Sequence, residues 1–319
     1  MATENWPKTL QQAIVYFSDP ATAFSEMVKF RWPDGVVKCP TCGSTAVYFT
    51  ASRRIWQCKE KHAKRQFSVK IGSIMEDSPL GIDKWLVASW LITNAKNGIS
   101  SYELGKAIGV TQKTAWFMLH RIRLAMQTED GGKLSGHVEV DETYIGGKAR
   151  FMHKAKRQRV IKGTGGMGKV AVMGLLERHG ERGHSTVRAN VVRSIGKKLL
   201  QAAVRANVEK DAAVFTDALA SYEGLNEDYV HQVIDHAERY VDGQVHTNGL
   251  ENFWSLLKRA LKGTYVSVEP FHLFRYLDEQ AFRFNTRKLS DAGRFAITAS
   301  SAFGKRLTFA QLTAADATC

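Results

Sequence analysis

The sequence predicts a multidomain α+β chain, and three observations carry that prediction. A cysteine knuckle, "KCPTCGS", opens a region of short alternating segments over residues 36–70. Apolar residues then recur at spacings of three and four over residues 80–127, the period of helices. Beyond a glycine-rich linker, "DGGKLSG" at 130–136, strand-like and helix-like runs are mixed. With 319 residues, 44% of them hydrophobic, the chain is long enough for two or three domains with a sizeable core.

In order, residues 1–35 read as one or two short helices, and "AVYFTA" and "RIWQC" as small antiparallel strands. The helical block follows. After the linker, strand-like runs occupy 137–145, 169–178, 185–192, 212–219 and 230–235, and helical runs 194–207, 248–262 and 270–285. Three consecutive strands without a helix argue for a meander, extended by parallel additions. The resulting division is 1–75, N-terminal helices and metal ribbon; 76–130, helical block; 131–300, mixed-sheet domain; 301–319, C-terminal tail.

Lys and Arg number 45 against 31 Asp and Glu, a net charge of +14, which points to a polyanionic partner, nucleic acid first. No run reaches the roughly 18 apolar residues of a membrane span. The N-terminus lacks the layout of a secretory signal, so a cytoplasmic location is expected. Four cysteines, Cys39, Cys42, Cys58 and the C-terminal Cys319, make no disulfide framework.

Cys39 and Cys42 flank a tight turn that Gly43 permits, and Cys58 with His62 supplies a second pair. Three thiolates and an imidazole are an allowed tetrahedral set for one structural Zn²⁺. A ribbon this short draws much of its folding energy from the metal. His62 is the weaker ligand, since a surface histidine in a basic run is the competing reading. Arg53, Arg54, Lys59, Lys61, Lys64, Arg65 and Lys70 surround the site and suit a phosphate backbone.

"SSYELGKAIGVTQKTAWFMLHRIR" at 100–123 fits a helix-turn-helix. Ser100 and Glu103 form a capping box, Gly109 sits at the turn and Thr111 caps the second helix. Leu104, Ala107 and Ile108, then Ala115, Leu119 and Ile122, would face inward. Gln112, Lys113, Trp116, His120 and Arg123 would face outward as a recognition surface. A helical hairpin that packs domains together is the alternative. A second basic element, "GGKARFMHKAKRQRVIKGTGGMGK" at 146–169, holds eight Lys or Arg, no acid and six glycines. It is expected to be a mobile loop that clamps phosphates, with Arg150, Lys156, Arg157 and Arg159 among its cations.

Three carboxylates stand out. Asp141 lies inside an apolar strand, "VEVDETY", and Asp217 ends another, "AVFTDA". A carboxylate there is costly unless paired or metal-bound. Glu251 opens the helix in "HTNGLENFWSLLKRALKG", where Asn248 three residues earlier also fits a capping box. Lys258 follows two helical turns after Glu251, on nearly the same face, while Phe253, Trp254 and Leu257 form the core face. Such acids suit two Mg²⁺ (or Mn²⁺) ions in phosphoryl transfer. His246 is read as a structural hydrogen bond near the helix start; His236 lies close by in sequence.

The ordered motifs "CPTCGS", "RQFSVKIGSIMEDS", "VEVDETYIGGK", "FTDALASY", "HTNGLENFWSLLKRALKGTY" and "FRFNTRK" resemble bacterial insertion-sequence transposases of the DDE type with an N-terminal zinc ribbon, the ISXO2-like family. The resemblance spans about residues 20–290. It implies a ribonuclease-H-like catalytic domain, a metal-binding triad of Asp141, Asp217 and Glu251, and Lys258 as the accompanying base. Glu139 and Glu142 stand outside the triad on that pattern. His62 departs from it, since a second cysteine pair is more usual. The implied function is binding of terminal inverted repeats, then metal-dependent strand cleavage and strand transfer into target DNA. The enzyme would work as a dimer or larger assembly on double-stranded DNA, beside the bacterial nucleoid. A domesticated DNA-binding regulator that has lost catalysis is the alternative.

Overall fold

A computed structural model describes residues 6–127, 132–147, 153–161, 168–179, 183–234 and 246–314. The chain divides into two compact units: residues up to Gln127 together with a return from Thr286, and the stretch between them, to Asn285.

The first unit begins with helices α1 (Leu10–Ser18) and α2 (Pro20–Arg31). Asp19 ends one and caps the other, accepting from the Thr22 N–H, and Pro20 takes the first helical position, where its missing donor costs nothing. A three-stranded antiparallel ribbon follows, β1 (Val47–Thr50), β2 (Ile55–Cys58) and β3 (Gln66–Phe67). Its single aromatic layer is Trp56, stacked against Phe24 and Phe67 at 5.6 and 5.9 Å. Helices α3 (Ile82–Asn94), α4 (Ser101–Ile108) and α5 (Gln112–Met126) form the helical block. The Ser100–Glu103 capping box is present, Gly109 adopts the left-handed conformation at φ 64°, and the Thr111 hydroxyl caps α5. Ala107 is exposed, and Gly105 takes its expected place in the core.

The outward face expected for α5 is not free. Lys113 and Gln112 are exposed and Trp116 is half-buried, but His120 and Arg123 are 0% and 1% exposed. The reason lies at the far end of the chain. Residues 286–314 return to this unit as α10 (Asp291–Ser300) and α11 (Phe309–Thr313), and α10 packs on α3 and α5. Phe309 lies edge-on to Trp116 and Phe117, and the Lys113 ammonium sits 4.9 Å above its ring. The buried Arg121 guanidinium donates to the carbonyls of Leu307, Ile74 and Glu76. His120 and Arg123 therefore leave the set of base-reading candidates. Residues 301–314, expected as a tail, carry the buried Leu307 and Leu312, and the mixed-sheet domain ends at Asn285 rather than 300. Cys319 lies outside the described residues.

The second unit is one mixed sheet in the order β6-β5-β4-β7-β8: β4 (His137–Ile145), β5 (Val170–Glu177), β6 (Thr186–Val192), β7 (Ala213–Asp217) and β8 (Val230–Ile234). The first three pair antiparallel; β7 joins β4 in parallel and β8 joins β7 in parallel, as the meander reading requires. The parallel register is reached through α7 (Lys197–Asn207), a crossover helix with Leu200 and Val204 at 0% exposure. Val138, Val140 and Val214 pack with α7 on one face. Val172, Leu176 and Val187 pack on the other with α8 (Asn248–Ala260) and α9 (Leu273–Asn285). The basic segment expected as a loop contains a short helix, α6 (Lys154–Val160). Arg157 on it is exposed; nothing is described of the side chains of Lys156 and Arg159, and Arg150 lies outside the described residues, as does His236.

Candidate metal sites and acidic cleft

The ribbon brings Cys39, Cys42, Cys58 and His62 together, their donor atoms all within 4.8 Å of one another. Cys39 Sγ lies 3.5 Å from His62 Nε2 and Cys42 Sγ 3.6 Å from Cys58 Sγ. Bonds of about 2.1–2.3 Å to a tetrahedral zinc require ligand–ligand edges of about 3.4–3.8 Å, so the four donors fit that ion. The His62 Nδ1–H donates to the Ala63 carbonyl at 2.6 Å, which leaves Nε2 as the ligating nitrogen. Burial raises the Cys39 thiol, but the N–H groups of Cys42 and Thr41 and its cysteine neighbours outweigh it and bring it down to about 7, toward the thiolate. Of the surrounding cations, Arg53, Arg54, Lys59, Lys61 and Lys64 are exposed. Arg65 instead ties down the Cys58 and Lys59 carbonyls, and Lys70 those of Ser78 and Leu80.

In the second unit, Asp141 lies on the α8 side of β4. β4 and β7 pair Val138 with Val214 and Glu139 with Phe215. Two residues further along the same register, Asp141 falls beside Asp217. Glu251 stands exposed in the first turn of α8, near enough to act on the Asp141 charge. Asp141, Glu251, Trp254, Lys258, Arg259 and Lys262 line a common cleft of about 570 Å³. Burial pushes the Asp141 carboxyl up to about 6 despite the Trp254 hydrogen bond, and Asp217 and Glu251 add their repulsion. Burial likewise pushes Glu142 up to about 8, with Asp217 and Asp141 behind it. Asp141 thus sits buried beside other carboxylates, and hard oxygen donors such as Asp141, Asp217 and Glu251 fit Mg²⁺ or Mn²⁺. Among the described residues, though, only the ribbon's ligands gather within 4.8 Å; the acids do not close to that distance.

Several participants are invisible to spacing alone. The Trp254 indole N–H donates to Asp141 Oδ2 at 2.9 Å, so this core residue also orients the acid; the Glu142 N–H holds Oδ1 at 2.8 Å. Trp254 reaches the sheet because Gly174, directly across from Asp141 on β5, has no side chain. A Cβ there would meet the indole at 2.6 Å. A glycine inside an otherwise apolar strand is the signal that flags such an approach. Glu142 points to the opposite face of the sheet, where it accepts from the Tyr222 hydroxyl. The predicted Asn248 capping box does not form. Helix α8 starts at Asn248, its N-cap Thr247 makes no side-chain cap, and the Leu250 N–H is taken instead by Glu139 Oε2 at 2.9 Å. His246 makes the expected structural contact, accepting at Nδ1 from Arg178 Nη2 at 2.9 Å.

Comparison with known proteins covers both regions. Residues 18–63 match the transposase zinc-ribbon domain, and residues 133–285 match the ISXO2-like transposase domain. A protein of the transposable element ISH50 from Halobacterium salinarum is 29% identical over 294 residues, 88% of this chain and 95% of its own length. A transposase-like protein of Haemophilus influenzae is 30% identical over 100 residues, 31% of this chain and 80% of its own length. The class defined by ribbon, sheet and relatives is that of insertion-sequence transposases. Within it, the chain belongs to the ISXO2-like family with an N-terminal zinc ribbon. Among the described residues, no helix is long and apolar enough to cross a membrane.

Proposed function

We propose that the chain binds the terminal inverted repeats of its element and carries out cleavage and joining of DNA strands at the Asp141–Asp217–Glu251 cleft. The observation that carries this reading is the convergence of the two strand acids. Asp141 and Asp217 fall side by side on parallel β4 and β7, with Glu251 felt across the cleft. Strand order and helices on both faces support a ribonuclease-H-like domain over residues 131–285. Two Mg²⁺ ions held by Asp141, Asp217 and Glu251 would supply stabilisation of the attacking and leaving oxygens in an in-line displacement. The chain's own residues do the rest. Trp254 and the Glu142 N–H fix both oxygens of Asp141. Lys258, Arg259 and Lys262, on the same wall as Glu251, hold the substrate phosphates. No serine, tyrosine or cysteine nucleophile is required.

DNA is engaged by the helix-turn-helix of α4 and α5 through exposed Gln112 and Lys113 and by the zinc ribbon through Arg53, Arg54, Lys59, Lys61 and Lys64. The exposed Arg157 of the basic segment adds a further phosphate contact. Joining requires two ends, so a dimer or larger assembly forms on DNA.

Asp217→Ala tests the catalytic reading. It is expected to leave binding of terminal-repeat DNA within about twofold while Mg²⁺-dependent nicking falls at least a thousandfold, on the order of 4 kcal/mol of barrier. Undiminished nicking by this variant sinks the proposal, and loss of binding with loss of nicking assigns Asp217 to the fold.

A further inference from the structure

Beneath the three acids, one step down the sheet, lies a buried ion pair that the proposed chemistry does not use. Glu139 shares the face of Asp141, two residues upstream on β4, and is 1% exposed. Its Oε1 accepts from Arg178 Nε at 2.6 Å, and its Oε2 accepts from the Leu250 N–H in the first turn of α8. Arg178 follows the last residue of β5, anchored there by its own N–H to the His137 carbonyl. Its guanidinium lies 4.4 Å over the ring of Phe215 on β7 and donates to the His246 carbonyl just before α8.

The pair therefore touches each element that carries an acid, and at an equivalent height. Glu139 is two residues before Asp141, Phe215 two before Asp217, and Leu250 one before Glu251. Two residues along a strand return to the same face about 6.6 Å higher. A rigid layer at this level thus sets the relative positions of the side chains in the layer above. The helix is seated tightly on it: a Cβ on Gly249 would stand 2.8 and 3.0 Å from the two Glu139 oxygens and 3.1 Å from Leu176. Glycine at 249 lets the first turn of α8 come down onto the carboxylate.

We infer that Glu139 and Arg178 are positioning residues, a buried ion pair that registers Asp141, Asp217 and Glu251 against one another for divalent-cation binding. This rests on the reading of those three acids as cation ligands. A buried ion pair is weak grounds for stability by itself, because desolvation offsets much of the attraction. Its value here is geometric: one charge pair joins three strands and a helix.

The test is Mn²⁺ binding to the zinc-loaded full-length protein without DNA, followed by electron paramagnetic resonance, with circular dichroism as the check on folding. Wild type and Asp217→Ala set the two ends of the scale. Glu139→Gln keeps the side-chain shape and an acceptor for Leu250 but removes the charge facing Arg178. It is expected to weaken Mn²⁺ binding 10–100-fold, the range seen when groups that orient metal ligands are lost. Gly249→Ala leaves the pair intact and lifts α8 off it, with a loss in the same direction of about tenfold or more; it carries the test if Glu139→Gln fails to fold. A melting temperature lowered in either folded variant, with Mn²⁺ affinity equal to wild type, means the pair is merely structural and overturns the inference. Wild-type binding no tighter than that of Asp217→Ala overturns the acid-triad reading instead, and the inference falls with it.

Discussion

The zinc cluster and the acidic cleft are both candidate cation sites, yet they are assembled in opposite ways. The ribbon draws its ligands from residues 39–62 and closes them to tetrahedral edge lengths. The cleft draws its acids from residues 141–251 and holds them as neighbours that repel. Thiol and imidazole groups can hydrogen-bond one another while they wait for a metal. Carboxylates cannot unless they take up protons, and Asp141 and Glu142 are pushed toward doing so. A structural site gains by completing itself; a catalytic one keeps room for substrate. In the cleft it is Asp141 that is held from outside, by the Trp254 indole and the Glu142 N–H, with the Glu139–Arg178 pair proposed as the register for the rest.

The sharpest way to break this contrast is Cys58→Ser, or removal of zinc by a chelator. The ribbon has little core beyond Trp56 and its partners, so residues 36–67 are expected to lose their fold outright. Apparent binding energies for structural zinc run on the order of 10 kcal/mol. Rapid proteolysis within the ribbon, with one zinc per chain lost by elemental analysis, is the expected result. A ribbon equally protected without metal would erase the distinction between the two sites.

Gly174→Ala tests the cleft's upper support. The added methyl would meet Trp254 at 2.6 and 2.8 Å and Leu250 at 2.8 Å. Overpacking of this kind should destabilise by roughly 3 kcal/mol in urea unfolding. It should also push Trp254 away from Asp141, so divalent-cation affinity falls beyond what the stability loss accounts for.

A somewhat smaller effect, of opposite sign, is expected at Asp141. Its carboxyl keeps a proton up to about pH 6 in the folded chain, against about 3.9 when unfolded. Between those values the unfolded chain releases the proton and the folded chain retains it. The stability tied to this group is thus fully present below about pH 4 and declines as pH rises through 6. Asp141→Asn should abolish that part of the decline and, without divalent cations, stabilise the protein at pH 8 by on the order of 2 kcal/mol. Glu142, raised to about 8 by burial first and by Asp217 ahead of Asp141, keeps most of its own decline, which extends to higher pH. Urea titrations at pH 4 and pH 8 measure the difference; an Asn variant no more stable than wild type at pH 8 removes the repulsion from the account.

The smallest change is expected for His62→Cys. Four cysteines are as acceptable to zinc as three and a histidine, so the variant should retain one zinc per chain with stability altered by less than about 1 kcal/mol.

How much of this was legible in advance follows the range of the forces. The ribbon ligands, the Ser100 capping box and the Gly109 turn are local, and spacing exposed them. Asp141 and Asp217 stood out as candidates for a different reason: a charge inside an apolar strand demands an explanation. Their supports did not, because nothing in the neighbourhood of Glu139 says that it caps a helix beginning at residue 248. The misreading of His120 and Arg123 has the same origin. Periodicity separates the faces of α5, but packing distant in sequence, the return of residues 286–314 included, decides that the second face is also covered.

That return has a consequence for biosynthesis. The second unit is an insertion: the first unit pauses at Gln127 and resumes only at Thr286. On the ribosome the sheet with its acids can be finished before α10 and α11 have emerged to cover α5. A product cut short before residue 286 would contain the whole second unit with its acids, and a first unit whose hydrophobic surface has lost its cover.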